Sequence, residues 1–326
     1  MKTRILRAML LCATSVLMAL PLPSLSQDKY PERPVKIVIG FGPGSGTDQI
    51  ARLIAEELRV ELNQTFIVDN KLGASSQIAV GAVKFAPPDG YTLLLTSATT
   101  HSVNPHIFKN LPYDPIADFT PIGGIGYNPF ILAVNADVPA RTLREFVAWA
   151  HANKGKVFYA YGSPSVQVAA EALNQLQRLE ATGVPYKSAT DALTDVIAGR
   201  EQFLVAALAS TQPHMKSGRL RALAVTTRER TSLAPELPTV EESLGISDFD
   251  LAAWTGLFGP AGLPKTVVDT LSGALQRTLS RPGFREKLLT AGVEPTPSGP
   301  EAFGAMVKRQ LEVWGHKVRS AGIKPE

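Results

Sequence analysis

Short apolar runs alternate with amphipathic stretches along most of this 326-residue chain, and that alternation restricts the fold more than any other feature. Val35-Lys36-Ile37-Val38-Ile39 is an apolar run closed by glycine and reads as a buried strand. A helix over 47–59 carries Ile50, Ile54 and Leu58 on one face, and strands follow at 65–68 and 91–95 around a short helix at 77–85. A second series begins with a strand at 130–134. Thr142 then caps a helix with Leu143, Phe146, Val147 and Ala150, followed by a strand at 157–161, a helix at 166–179, and strands at 203–207 and 222–226. Beyond a strand at 254–258 the pattern is helical over 267–279, 284–291 and 301–321, with Gly292 and Gly322 placed as helix C-terminal glycines. Such alternation predicts an α/β protein with parallel sheets and right-handed crossovers. Two series of about 100 residues predict two lobes, in line with ordinary domain sizes.

Within the first series, "IGFGPGSGTDQIARLIAEEL" places Gly40, Gly42, Gly44 and Gly46 between strand and helix. Free N–H groups and the positive end of a helix dipole suit such a turn to an anion. A dinucleotide fingerprint needs G-x-G-x-x-G, but the third glycine position holds Ser45 or Thr47, and Pro43 interrupts the turn. Asp69 alone keeps that idea alive. No Gly-Lys-Ser or Gly-Lys-Thr makes a P-loop, and Ser45 lacks the flanking glycines of a nucleophile elbow. The reading that survives is a site that holds a small anion by backbone donors.

Similar strand-to-helix junctions recur. Thr96-Ser97-Ala98-Thr99-Thr100 ends a strand. Tyr161-Gly162-Ser163-Pro164-Ser165 enters a helix, with Ser163 fitting an N-cap and Pro164 the first helical position. Tyr186-Lys187-Ser188-Ala189-Thr190 repeats the geometry with a cation added. Phe41, Tyr161 and Tyr186 are candidates to wall a flat ligand. The five histidines have no metal-ligand spacing, so neither a metal nor a cofactor is expected.

Residues 1–26 read as a secretory signal peptide: Lys2, Arg4 and Arg7, an apolar run, then Ser24 and Ser26 before a cut at Gln27. The only cysteine, Cys12, lies inside that leader, so the mature chain has no thiol, as suits an oxidising periplasm. The leader takes three of the 33 Lys and Arg and none of the 29 Asp and Glu, leaving a net charge of +1. Too little basic charge remains for a nucleic-acid face, so no nucleic-acid partner is expected.

"YPERPVKIVIGFGPGSGTDQIAR", "PPDGYTLLLTSATTHSVNP", "LPYDPIADFTPI", "YKSATDAL", "SGRLRALAVTTRER", "LPTVEE", "WTGLFGPAGLP" and the closing "AGIKPE" together resemble the periplasmic substrate-binding proteins of tripartite tricarboxylate transporters, the Bug family. The resemblance implies a two-lobe, Venus-flytrap periplasmic binding-protein fold with two crossover strands. Lobe 1 would then comprise 27–127 plus 251–326, and lobe 2 would comprise 128–250. It implies a carrier and not an enzyme: a monomer that captures a small organic acid, a di- or tricarboxylate or an aromatic acid, and passes it to integral membrane transporter subunits. The ligand-binding positions it implies are Phe41, Gly42, Gly44, Ser45, Gly46, Thr47 and Asp48 in the first loop. Ser97, Ala98 and Thr99 follow at the strand exit, Gly162, Ser163 and Ser165 in the second lobe, and Tyr186, Lys187, Ser188 and Thr190 in the next loop. The chain departs from the family pattern at Gly42-Pro43-Gly44-Ser45, within Asn70-Lys71-Leu72-Gly73-Ala74-Ser75-Ser76, and at Ser188, Asp191 and Gln202. Two other readings stay open at this point: a ligand-sensing subunit of a signalling system, and a secreted α/β hydrolase or NAD-linked protein.

Overall fold

The computed structural model describes residues 30–325; the expected leader and Cys12 lie outside the described residues. In chain order the strands are β1 (Val35–Ile39), β2 (Phe66–Asn70), β3 (Thr92–Ser97), β4 (Phe119–Asn135), β5 (Phe158–Tyr161), β6 (Thr182–Pro185), β7 (Phe203–Ala207), β8 (Leu220–Val225), β9 (Ala252–Pro260) and β10 (Glu294–Ser298). The helices are α1 (Gly46–Leu62), α2 (Gln77–Lys84), α3 (Asn104–Ile107), α4 (Leu143–Ala152), α5 (Pro164–Gln177), α6 (Ala189–Ile197), α7 (Leu208–Lys216), α8 (Val240–Leu244), α9 (Lys265–Ser280), α10 (Pro282–Thr290) and α11 (Pro300–Ser320).

The strands are ordered β2-β1-β3-β9-β4-β7-β5-β6, with β8 and β10 also paired to β4. β1 pairs in parallel with β2 and β3, and β5 with β6 and β7, as the alternation predicts. The middle does not follow that prediction. β3–β9, β9–β4, β4–β7, β4–β8 and β4–β10 are all antiparallel. The reason is β4 itself, 17 residues long. Its first part, Phe119 to Pro129, pairs with β9, and its second part, from Phe130, pairs with β7 and β8. β4 therefore runs from one half of the molecule into the other. Proline, with no N–H to give a ladder, sits where the partners change.

A second crossing lies beside it. Thr226 N–H donates to Phe130 O at 3.0 Å, and Leu251 N–H donates to Thr226 O at 2.9 Å. The chain thus passes between the halves at 128–130 and again around 226 and 251, close together in space.

Packing joins the halves. Ile37, Ile39, Ile50, Ile54, Leu58, Leu271 and Leu275 make a core beneath α1 and α9. Ile131, Ala133, Val196 and Leu204 make a smaller one in the second half. A third cluster runs through both, from Val38 and Leu94 by way of Trp254 and Phe130 to Phe146 and Phe203. On that shared side Lys317 Nζ of α11 donates to Asp248 O and Oδ1, each at 2.7 Å.

Several local predictions hold residue for residue. Thr142 forms a full capping box with Glu145. Gly292 and Gly322 both take positive φ immediately after Ala291 and Ala321, the C-cap residues of α10 and α11.

Candidate functional site

Four strand-to-helix junctions from the two halves face one another. From β1 to α1 the chain turns through Gly44, at φ +80°, which a residue with a Cβ rarely adopts. Asp48 ties this turn together. Its Oδ2 accepts from Gly44 N–H and Arg52 Nε, both at 3.0 Å, and its Oδ1 from Asn70 Nδ2 at 2.9 Å. Burial alone would raise the Asp48 pKa, but Arg52, Asn70 and the Gly44 N–H together hold it below the usual carboxylate range. Ser45 caps α1, accepting from Asp48 N–H at 3.2 Å. That leaves the N–H groups of Gly46 and Thr47 without an acceptor among the described residues.

The neighbouring turn is strained. Ala74, Ser75 and Ser76 all have positive φ, at 46°, 52° and 71°. Each residue in this conformation costs about 1 kcal/mol. Ser76 Oγ donates to Gly40 O at 3.0 Å, which pins the strained turn to the glycine loop.

From β5 to α5, Ser163 is in the N-cap position with Pro164 first in the helix, but its hydroxyl makes no capping bond. This corrects the sequence expectation. The Oγ instead sits 3.5 Å from Ser165 Oγ, at the edge of hydrogen-bonding range. The N–H groups of Ser165 and Val166 have no acceptor among the described residues. At the start of α6, Ser188 Oγ accepts from Asp191 N–H at 3.1 Å and donates to Asp191 Oδ2 at 2.7 Å, while Ala189 N–H has no acceptor among the described residues. α7 follows β7 directly, with Ala207 as its cap residue.

These junctions enclose an inner chamber of about 70 Å³. Gly46 and Thr47 of α1, Ser165 and Val166 of α5, Ala189 of α6 and Ser210 of α7 all line it. So do Phe41, Ser45, Ser97, Thr99, Tyr161, Gly162 and Ser163. None of its lining residues is charged. An outer chamber of about 720 Å³ continues from it past Phe41, Tyr161 and Ser163; Gly42, Tyr186, Lys187 and Ser188 line it, with Lys187 and Lys324 as its cations. Four helix N-termini around one uncharged chamber, each equivalent to roughly half a positive charge, make it electropositive without a basic side chain. Nearby His101 does not alter this: it is fully buried against Phe258, and burial pushes its pKa down to about 3.

The sequence-predicted positions divide accordingly. Gly44, Asp48, Ala98 and Thr190 lie off both chamber linings. Gly44 and Asp48 shape the turn, Ala98 points into the core, and Thr190 is exposed. The other predicted residues line one chamber or both. The aromatic trio is also there, with Tyr186 OH within 2.8 Å of Asp195 and 2.7 Å of Glu201. Sequence reasoning missed Ala207, Ser210, Asn128, Phe130, Ala253 and Thr255, all of which line the inner chamber. The α7 junction carries no glycine or proline to mark it. The others sit on β4 and β9, whose position depends on distant pairing.

The halves meet at the chamber rim. Thr99 Oγ1 and Ser165 Oγ are 2.9 Å apart, both buried. Since Ser163 caps nothing, Ser163→Ala is expected to leave the melting temperature within about a degree of the unsubstituted protein. Calorimetry with a bound acid is expected to show affinity three- to tenfold weaker, the range of one lost hydrogen bond. A fall in melting temperature with unchanged affinity would restore the capping role.

Comparison with known proteins agrees with this architecture. Residues 50–323 match the family model described as the tripartite tricarboxylate transporter family receptor, TctC. Rpa4515 of R. palustris, solved with adipate, superposes with a TM-score of 0.88 at 30% identity, covering 91% of this chain and 100% of that one. The periplasmic binding protein BugD gives 0.86 at 33% identity, with 91% and 100% covered. MatC of Rhodopseudomonas palustris, with bound malate, gives 0.83 at 30% identity, with 89% and 100% covered. These are substrate-binding proteins, not enzymes. The chain belongs to the TctC family of tripartite tricarboxylate transporter receptors and has their two-lobe periplasmic binding-protein fold.

Proposed function

We propose that this protein captures a small organic carboxylate between its lobes and delivers it, chemically unchanged, to the membrane subunits of a tripartite transporter. The observation that carries this reading is the inner chamber, where N–H groups at the starts of α1, α5 and α6 without an acceptor among the described residues converge, and no charged side chain is among its lining residues. Backbone donors are already oriented, so binding costs little side-chain entropy. Adipate and malate in the related structures belong to the same ligand class.

In this reading lobe 1 comprises 27–127 plus 251–326, lobe 2 comprises 128–250, and the two crossings act as the hinge. The protein works as a monomer, exported by the leader 1–26. An acid first meets the donors of one lobe; closure adds those of the other and expels water. Only that added contribution shifts the equilibrium to the closed state. Lys187 and Lys324 at the mouth attract the anion at long range, an effect that weakens with salt.

A thermal-shift screen of aliphatic and aromatic acids, each paired with its neutral amide, tests the binding step. At least one acid should raise the melting temperature by mass action and bind with micromolar affinity, about −8 kcal/mol. Equal stabilisation by acid and amide would contradict the reading. Uptake of the labelled acid in a deletion strain tests delivery: lost uptake supports it, and lost induction with normal uptake points to sensing.

A further inference from the structure

Asn128 stands where β4 leaves one half of the molecule for the other, and it is 7% exposed. Its Oδ1 accepts from Thr255 Oγ1 at 2.6 Å. The Thr255 hydroxyl is the donor, so the amide oxygen faces Thr255. The Nδ2 group is thereby turned away from Thr255. It has no acceptor among the described residues, and it is not one of the orphaned polar atoms sealed from solvent, such as His101 Nε2 and Asn104 Oδ1. It opens onto the inner chamber, which both Asn128 and Thr255 line. Ser97 is directly opposite Thr255 in the β3–β9 ladder, is 5% exposed and lines the same chamber. Its hydroxyl likewise has no protein partner among the described residues and is not sealed. Three adjacent strands therefore present two open donors on the chamber floor, while Phe130, Leu204, Ala206 and Val166 give its walls an apolar band.

We propose that Asn128, held by Thr255 and seconded by Ser97, determines specificity at the inner end of the ligand. It accepts an acid whose far end carries a hydrogen-bond acceptor and rejects one that ends in a methyl group. A methyl-ended acid leaves Nδ2 buried and unpaired, and that loss exceeds the gain from a matched bond. The inference rests on the carboxylate reading above, because it assigns the second end of the same ligand. It differs from that reading in placing the discrimination on a hinge strand, away from the glycine and serine loops.

Calorimetric titration with two matched pairs, adipate against hexanoate and succinate against butanoate, tests it. The unsubstituted protein should bind the diacid at least tenfold more tightly than the monoacid in one pair. Asn128→Leu should bring that ratio to within twofold by weakening the diacid alone. Asn128→Asp is nearly isosteric and keeps the acceptor for Thr255, so it guards against a folding failure. It replaces the donor with a second acceptor, and diacid affinity at pH 8 should fall at least thirtyfold, with partial recovery at pH 5. A ratio that stays at tenfold in both variants, or diacid and monoacid weakened alike, would overturn the proposal and leave the carboxylate reading intact. Failure of all four acids to bind the unsubstituted protein would instead overturn both.

Discussion

Gly162→Ala is expected to lower acid affinity at least a hundredfold, although the substitution adds one carbon. A Cβ there would lie 2.3 Å from Ala189 N and 2.4 Å from Ser188 C and O. These are backbone atoms, so no rotamer change relieves the contact. The Ser188–Ala189 segment must move, and with it the Ala189 N–H and the start of α6. Overpacking of this kind costs typically 1–3 kcal/mol of stability, so the melting temperature should also fall by several degrees. Affinity is expected to fall further than that strain explains, because one of the converging helix ends leaves the chamber. Calorimetry alongside thermal denaturation measures both. Unchanged affinity would show that the α6 junction takes no part in binding.

The second large effect is graded by side-chain size at Gly46. A Cβ at this position would meet Ala207 Cβ at 3.6 Å, an ordinary van der Waals contact across the cleft. Gly46→Ala should therefore bind within a few-fold of the unsubstituted protein. Gly46→Leu sends its branch into a chamber of about 70 Å³, or else props the lobes apart. Its affinity should fall more than a hundredfold while the melting temperature stays near that of Gly46→Ala, because the first turn of α1 tolerates either residue. Small-angle scattering with acid present should show compaction for Gly46→Ala and none for Gly46→Leu. Equal binding by both variants would remove α1 from the site.

The sequence exposed the parts of this fold that local chemistry decides. Thr142 caps a helix because a hydroxyl can reach an N–H three residues on. Gly292 and Gly322 end helices because a left-handed turn favours glycine. The first half of β4 stayed hidden, since Phe119-Thr120-Pro121-Ile122-Gly123-Gly124 reads as loop. Its glycines answer to distant neighbours. A Cβ at Gly124 would lie 2.4 Å from Ser298 Oγ, and one at Gly126 2.3 Å from Glu294 O, so β10 can pair here only against glycine. β10 itself carries Pro295 and Pro297 and gave no strand signal. The expectation of parallel pairing failed only in the middle of the sheet, because the antiparallel pairing of β4 and β9 can be recognised only once their partners are known.

The candidate site divides along the same line. Strand-to-helix turns marked by glycine and serine were legible. Asp48 sits within the motif, but three local donors turn its carboxylate into the loop. Asn128 sits outside every motif, Thr255 lies in a stretch that carried no site expectation, and both reach the chamber because β4 and β9 lie side by side there. Motif position and chamber position coincide where the chain's own turn faces the cleft, and part where long-range pairing decides.

A crystal structure of the protein with its tightest-binding acid tests the central claim most directly. One carboxylate should lie within hydrogen-bonding distance, about 2.7–3.2 Å, of the Gly46 or Thr47 nitrogen and of the Ser165 or Val166 nitrogen, directly or through one ordered water. The acid itself should be intact. An acid seated outside the inter-lobe chamber, or one found chemically altered, would contradict the account.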